Sequence, residues 1–327
     1  MSFRSGASLE TLAEAAALWK RARNFFDERG FFEVATPILS HDVLVDLYVE
    51  PIGVALDREP FFLQTSPEFA MKRLLASGAT RIYQIAHAFR RGDRGRLHNV
   101  EFTLLEWYRV GDGYAEGVNL LADLAAELLA RPLPVIMPFR EPFFAATGLD
   151  VHRADLRDFR AAADRLGVRY PASFLSSDAS ASRDDWIDLL FAEAVQPDLG
   201  WGGAVILTDY PASQSQLAQV RTVRDQDGNA LYDVAERFEL FADGIELANG
   251  YHELLDAQVL RRRFAQTAKE RREKRLAPLP VESRLLAAMD EGLPPSSGCA
   301  LGLDRTLMVR LGLETIDEAL PFPIERA

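Results

Sequence analysis

The chain has 327 residues, of which 48% are hydrophobic and 26% charged, with a formal net charge of -12; this is the composition of a globular protein with a sizeable core. No stretch approaches the ~20 apolar residues of a membrane span, the polar start "MSFRSGASLE" has no signal-like apolar region, and Cys299 as the only cysteine excludes an intrachain disulfide or a cysteine-based zinc site. A cytoplasmic protein is expected, and the acidic balance excludes one held on nucleic acid mainly by phosphate neutralisation.

Residues 8–30 predict a helix with Leu12, Ala16, Trp19, Arg23 and Phe26 on its stripe, capping-box spacing at Thr11 and Glu14, and a stop at Gly30. The run "FFEVATPIL" reads as an edge or interface strand because Pro37 lies inside it. A strand then turns into a helix at Ser66-Pro67-Glu68, and "RIYQIAHAFR" and "VEFTLLEWYRV" form a hairpin around "RGDRGRLH". That loop region concentrates Arg90, Arg91, Arg94 and Arg96, a local anion site in an acidic chain. Residues 111–200 read mostly as helices and loops, with "LLADLAAELLARPLP" the clearest helix. The segment "AVILT" is a buried-type strand, and 261–275 is a basic helical run.

Asp243-Gly244 predicts a two-residue turn that pairs Ala242 with Ile245. Glu239 and Phe241 then share a face with Glu246 and Ala248. Two carboxylates converging there suit Mg²⁺ bridging phosphates, and the same spacing also fits two solvated glutamates. In "ANGYHE", Asn249, Tyr251 and Glu253 fall at period two and offer an amide, an aromatic wall and a carboxylate to a ligand ammonium, or constitute ordinary strand alternation. "ALGLDR" puts Asp304-Arg305 at a helix start, where arginine reaches phosphate, although an Asp-Arg pair is commonly a surface pair. The five histidines have no metal spacing, and neither a P-loop nor GxGxxG occurs.

In order, "GFFEVATPIL", "FRRGDRGRLHNVEFTLLEWYR" and "GCALGLDR" resemble motifs 1, 2 and 3 of class II aminoacyl-tRNA synthetases, and "TSPEFAMKRLLASG" and "FELFADGIELANGYHE" resemble the lysyl branch. The resemblance implies an α+β fold, a class II catalytic domain over 1–327 with an antiparallel sheet flanked by helices, and a homodimer built around the first helix and the Pro37 strand. It implies Arg90 and Arg305 as catalytic arginines, Arg91, Gly92, Asn99, Glu246, Leu247 and Gly302 as further ATP contacts, and Glu239 with Glu246 as Mg²⁺ ligands. It places Ser66, Pro67, Glu68, Tyr108, Asn249, Tyr251, Glu253 and Ala300 around the amino-acid substrate.

Motif 1 begins early in the chain and few residues follow Arg305, so no anticodon-binding domain is expected. That form resembles the bacterial elongation factor P lysyltransferases, which adenylate lysine, preferentially (R)-β-lysine, and pass it to a lysine amine of elongation factor P. Ala300 is the alanine typical of that family where lysyl-tRNA synthetases have glycine. The resemblance argues against tRNA as acceptor. The competing readings are a synthetase charging tRNA without its own anticodon domain and a non-catalytic regulatory paralogue, the latter opposed by retention of Arg90, Glu239, Glu246 and Arg305. Two departures stand out: the usual Arg-Asn-Glu-Glu of motif 2 reads Arg90-Arg91-Gly92-Asp93, and Val100 replaces a proline.

Overall fold

The computed structural model describes residues 4–56, 59–175 and 181–327. In chain order these form α1 (Leu9–Asp27), β1 (Phe32–Glu33), β2 (Leu39–Ser40), β3 (Ile52–Leu56), β4 (Glu59–Leu63), α2 (Glu68–Ala76), β5 (Arg81–Phe89), β6 (Glu101–Val110) and α3 (Tyr114–Leu129). Then follow β7 (Val135–Pro138), α4 (Arg140–Thr147), α5 (Leu156–Leu166), α6 (Arg183–Leu190), β8 (Val205–Thr208), β9 (Tyr210–Pro211), β10 (Val220–Arg224), β11 (Ala230–Ala235), β12 (Arg237–Ala242) and β13 (Ile245–His252). The last elements are α7 (Ala257–Glu273), α8 (Arg284–Gly292), β14 (Ser296–Gly302) and α9 (Leu303–Leu311). These elements gather into two compact units, one of residues 1–130 with 252–327 and the other of 131–251.

In the first unit β5 pairs antiparallel with β6 from Arg81↔Arg109 to Phe89↔Glu101, which leaves residues 90–100 as the loop of a long hairpin. β14 pairs antiparallel with the other edge of β6, and short β1 runs parallel to β5. The strands of this unit are therefore paired antiparallel except at this edge strand. Phe26, Phe31, Tyr83 and Trp107 pack ring against ring beneath it, burying the large aromatic areas that dominate such cores.

The helix boundaries of α1 agree with the sequence, but two details differ. Ser8 is the cap, accepting the Thr11 N–H at 3.0 Å, because it stands in extended backbone just before the first helical turn. The buried stripe is Thr11, Ala15, Leu18, Ala22, Phe25 and Phe26, so Ala16 is exposed and Trp19 only half-buried. Small residues let the helix approach its neighbours closely, and Trp19 stays at the margin. Phe31, expected on an interface, is buried within the chain, whereas Phe32 and Ile38 are exposed.

In the second unit β12 pairs antiparallel with β13 and β8, and β7 runs parallel to β8. β7 was not legible in the sequence, since "VIMP" ends in proline and lies in a stretch read as helices and loops. Asp243 (φ 51°) and Gly244 (φ 75°) form the expected turn with Ala242 opposite Ile245, a conformation that needs positive φ at both positions. A β-bulge then breaks the ladder: Phe241 faces Glu246, but Leu240 faces Ala248 and Glu239 faces Asn249. The extra residue, Leu247, is buried. A β10–β11–β9 sheet completes the unit. Phe139, Phe143, Phe159, Trp186 and Phe241 centre its core.

Among the described residues no helix is long and apolar enough to cross a membrane.

Candidate active site

The arginine loop between β5 and β6 is held at its base by backbone bonds. Arg90 N–H donates to Val100 O at 2.9 Å, and Arg91 N–H to Glu50 O at 2.7 Å. The Arg90 guanidinium lies 4.8 Å from the centre of the Phe102 ring, which fixes a planar cation by its face. Gly92 and Gly95 take φ of +85° and +149°, values that glycine reaches without a Cβ clash.

Arg305, in the first turn of α9, reaches back into this loop. Its Nε donates to Leu97 O at 3.1 Å and its Nη2 lies 2.6 Å from His98 Nε2. Guanidinium has no acceptor, so that imidazole nitrogen accepts and the proton sits on Nδ1. Asp304 is buried rather than part of a surface pair: it accepts the Thr103 N–H at 2.6 Å, and burial pushes its carboxyl up to about 6. Gly302 is the N-cap of α9. Asn99 is buried and fully used by backbone, donating to Glu101 O at 2.6 Å and accepting Ile324 N–H at 3.0 Å. A cleft of about 290 Å³ beside the loop is lined by Arg94, Arg96, His98, Asn99, Thr315 and Asp317.

The second cluster of this unit is built on α2, β6 and β14. Ser66-Pro67 turns the chain into α2, whose first residue is Glu68. One turn on, Lys72 is 2% exposed and its Nζ lies 2.6 Å from Glu68 Oε1 and 2.5 Å from Glu253 Oε2. On β6, Glu106 and Tyr108 point to the same face at period two, and Tyr108 OH donates to Glu106 Oε1 at 2.7 Å. The register puts Ala300 opposite Glu106 and Gly298 opposite Tyr108. A Cβ on Gly298 would stand 2.2 Å from the Tyr108 ring and 2.7 Å from Glu253 Oε1, so only glycine allows the ring and the carboxylate to meet there.

Burial pushes Glu106 up to about 8, with Glu68 adding to the rise and Tyr108 and Lys72 opposing it. Burial also raises Glu253, against the pull of Lys72, and raises the Tyr108 hydroxyl. Glu106 Oε2 is buried without a hydrogen-bond partner, an oxygen aimed at nothing the chain itself supplies. Such a group takes its partner from outside the chain, from water or from a ligand.

In the second unit, Glu239 is buried and both its oxygens are engaged. Arg237 Nη2 pairs with Oε1, and Tyr210 OH donates to Oε2 at 2.5 Å. Burial pushes Glu239 up to about 7, Arg237 opposing and Glu246 adding to the rise. Arg237 Nε also donates to Asn249 Oδ1 at 3.3 Å, and Asn249 Nδ2 to Tyr251 OH at 3.0 Å. The bulge at Leu247 is what brings Asn249 opposite Glu239.

Of the residues expected from sequence, Glu68, Tyr108, Glu253 and Ala300 therefore join one pocket, Arg90, Asn99 and Arg305 join the loop, and Glu239, Glu246, Asn249 and Tyr251 join the β12–β13 network. Arg91 and Gly92 are exposed on the loop. Lys72, Glu106, Arg237 and Gly298 were not singled out. Glu68 and Lys72 at i, i+4 in a helix, and Glu106 with Tyr108 and Arg237 with Glu239 at i, i+2 in strands, carried the available signal. The basic run at 261–275 is less free than its sequence suggests: Arg271 is buried on Glu50, and Arg261 pairs with Asp290 and Glu282.

Compared with known proteins, residues 1–326 match the family model described as tRNA synthetases class II (D, K and N). The chain is 38% identical over 333 residues to an "Elongation factor P--(R)-beta-lysine ligase" of Edwardsiella ictaluri (strain 93-146), covering 100% of this chain and 98% of that protein. It is 39% identical over 326 residues to a protein of the same name from Vibrio parahaemolyticus serotype O3:K6 (strain RIMD 2210633), covering 97% of each.

Proposed function

Because the chain belongs to the class II tRNA synthetases of the aspartate, lysine and asparagine type, we propose that it is an ATP-dependent ligase that adenylates (R)-β-lysine or lysine and transfers the lysyl group to a lysine amine of elongation factor P in the cytoplasm. The single observation that carries the substrate class is the buried pocket of Glu68, Glu106 and Glu253 with Tyr108. Carboxylates are buried together only where cations accompany them, and Glu68 and Glu253 bring more negative charge than the single Lys72 ammonium between them cancels, which leaves a place for a ligand ammonium. The names of the two relatives support the acceptor.

In the first step the amino-acid carboxylate attacks the α-phosphate of ATP, an oxygen–phosphorus bond forms, and pyrophosphate leaves. Arg90 holds the α-phosphate and the carboxylate together, and Arg305, oriented by Leu97 O and His98, neutralises the far end of the triphosphate. Arg91, Gly92 and Asn99 shape the loop that covers the nucleotide, with Gly302 and Leu247 as backbone contacts. Ser66 and Pro67 set Glu68, while Glu253, Tyr108 and Ala300 set the position of the amine end, and the family resemblance adds Asn249 and Tyr251 as substrate contacts. In the second step the acceptor amine attacks the acyl carbon, forms an amide and releases AMP, so no side-chain nucleophile is needed.

Mg²⁺ arriving with ATP would be held by Glu239 and Glu246, with Glu239 sharing its oxygens between the ion and its partners Arg237 and Tyr210. Magnesium takes one or two carboxylates plus phosphate oxygens rather than an all-protein cage, and among the described residues no group of three or more potential ligands occurs. When bound, the ion supplies charge neutralisation on the phosphates.

Pyrophosphate exchange with a panel of amino acids, followed by intact mass of elongation factor P, tests the reading. Exchange stimulated by lysine or (R)-β-lysine, with a stable lysyl adduct on the protein, is expected. Exchange no higher with these than without amino acid removes the substrate, and alkali-labile lysine on tRNA with unmodified elongation factor P transfers the acceptor role to tRNA.

A further inference from the structure

The pocket contains a cation of its own. Lys72 is buried, contacts both Glu68 and Glu253, and has the Tyr108 ring centre 5.9 Å from its Nζ. Nothing in the adenylation chemistry uses it, and its neighbours keep it protonated: the attraction of Glu253 and Glu68 outweighs the burial that would discharge it, so its pKa is raised. An ammonium so held is no nucleophile, which excludes a role as acyl acceptor. Its geometry has a different use. It ties the first turn of α2 to the residue that follows β13, and it cancels one of the two negative charges that Glu68 and Glu253 bring to the pocket.

Building on the proposed function, we infer that Lys72 is a positioning and specificity-setting residue: it clamps Glu68 to Glu253 and leaves this pocket with charge for a single substrate ammonium. The groups around it are Glu68 on α2, Glu106 and Tyr108 on β6, and Glu253 just after β13, with His252 acting on Glu253. With Glu106 protonated, the count is two carboxylates against one resident ammonium, a net charge that one incoming ammonium completes. Without Lys72 the two carboxylates repel each other across a buried space, one takes up a proton at neutral pH, and the pocket loses both its spacing and its charge.

Three proteins test this: Lys72→Met, Lys72→Arg, and the charge-balanced double variant Glu68→Gln with Lys72→Met. In pyrophosphate exchange, K72M is expected to raise the amino-acid KM at pH 7 by about tenfold or more with a smaller change in kcat, and to make KM fall as pH rises from 6 to 9, where the wild type is flatter. K72R restores most of the affinity, and the double variant returns the flat pH profile because its charge count matches the wild type. A K72M enzyme with the wild-type KM and pH profile overturns the inference, as does one whose thermal stability alone falls. Thermal unfolding across the same pH range needs no substrate: K72M should lose stability that the double variant partly regains, and equal losses in both overturn the clamp. If K72M does not fold, K72R and the double variant carry the comparison. Absence of lysine activation by the wild type removes the proposed function, while the unfolding comparison still decides on Lys72.

Discussion

At the scale of single residues, the buried carboxylate cluster makes stability depend on pH in a direction set by Glu106. Its folded pKa of about 8 lies above the ordinary 4.5, so the folded chain retains a proton that the unfolded chain has released. That contribution is complete below the ordinary value and is lost as pH rises toward 8. Glu106→Gln is neutral throughout, and its melting temperature relative to wild type is expected to climb between pH 5 and pH 8; a constant difference across that range contradicts a buried protonated Glu106. Glu253 is held by Lys72 and, in the proposed function, also meets the substrate amine. Glu253→Gln should raise the KM for the amino acid by roughly 100-fold, the equivalent of about 3 kcal/mol for a buried ammonium deprived of its counter-charge, with a smaller loss in ATP affinity. Steady-state exchange kinetics separate the two constants.

At the scale of elements, the β12–β13 hairpin illustrates what sequence patterns can and cannot specify. Its turn was legible because Asp-Gly is one of few pairs that accept positive φ in succession. Gly244→Ala should cost about 1–2 kcal/mol in urea unfolding, since φ is +75° and an added Cβ would lie 3.0 Å from Pro197 O. The bulge at Leu247 left no mark in the alternation of "IELANGYH", because a bulge is decided by how the partner strands twist together. Yet it decides which residue stands opposite Glu239. The same limit explains α1, whose length and ends followed from local signals while its buried face depended on what packs against it. The pocket of Glu68, Lys72, Glu106 and Glu253 collects residues from three distant segments, so only the pairs within one element were visible beforehand. The β5–β6 hairpin and its arginine loop, formed within one stretch of sequence, were readable throughout.

At the scale of the whole molecule, Phe32, exposed on β1, marks the segment where the family resemblance places a homodimer contact. Sedimentation at micromolar concentration is expected to give twice the 36.5 kDa chain mass, and Phe32→Glu to shift it toward the monomer. The arginine loop carries a second consequence at this scale, for the order in which the protein becomes functional during synthesis. Ile316 N–H donates to Arg96 O, Ile324 N–H to Asn99 Oδ1, and Glu325 pairs with Arg94, while Gly6 N–H donates to Pro321 O. Asn99 of the loop and Ile324, which helps to fasten it, lie 225 residues apart in sequence, and chains emerge from synthesis N-terminus first. A chain cut before residue 316 should therefore possess every arginine of the loop and still lack the contacts that hold its backbone at Arg96 and Asn99, so that limited trypsin digestion is expected to cut the loop faster than in the longer chain.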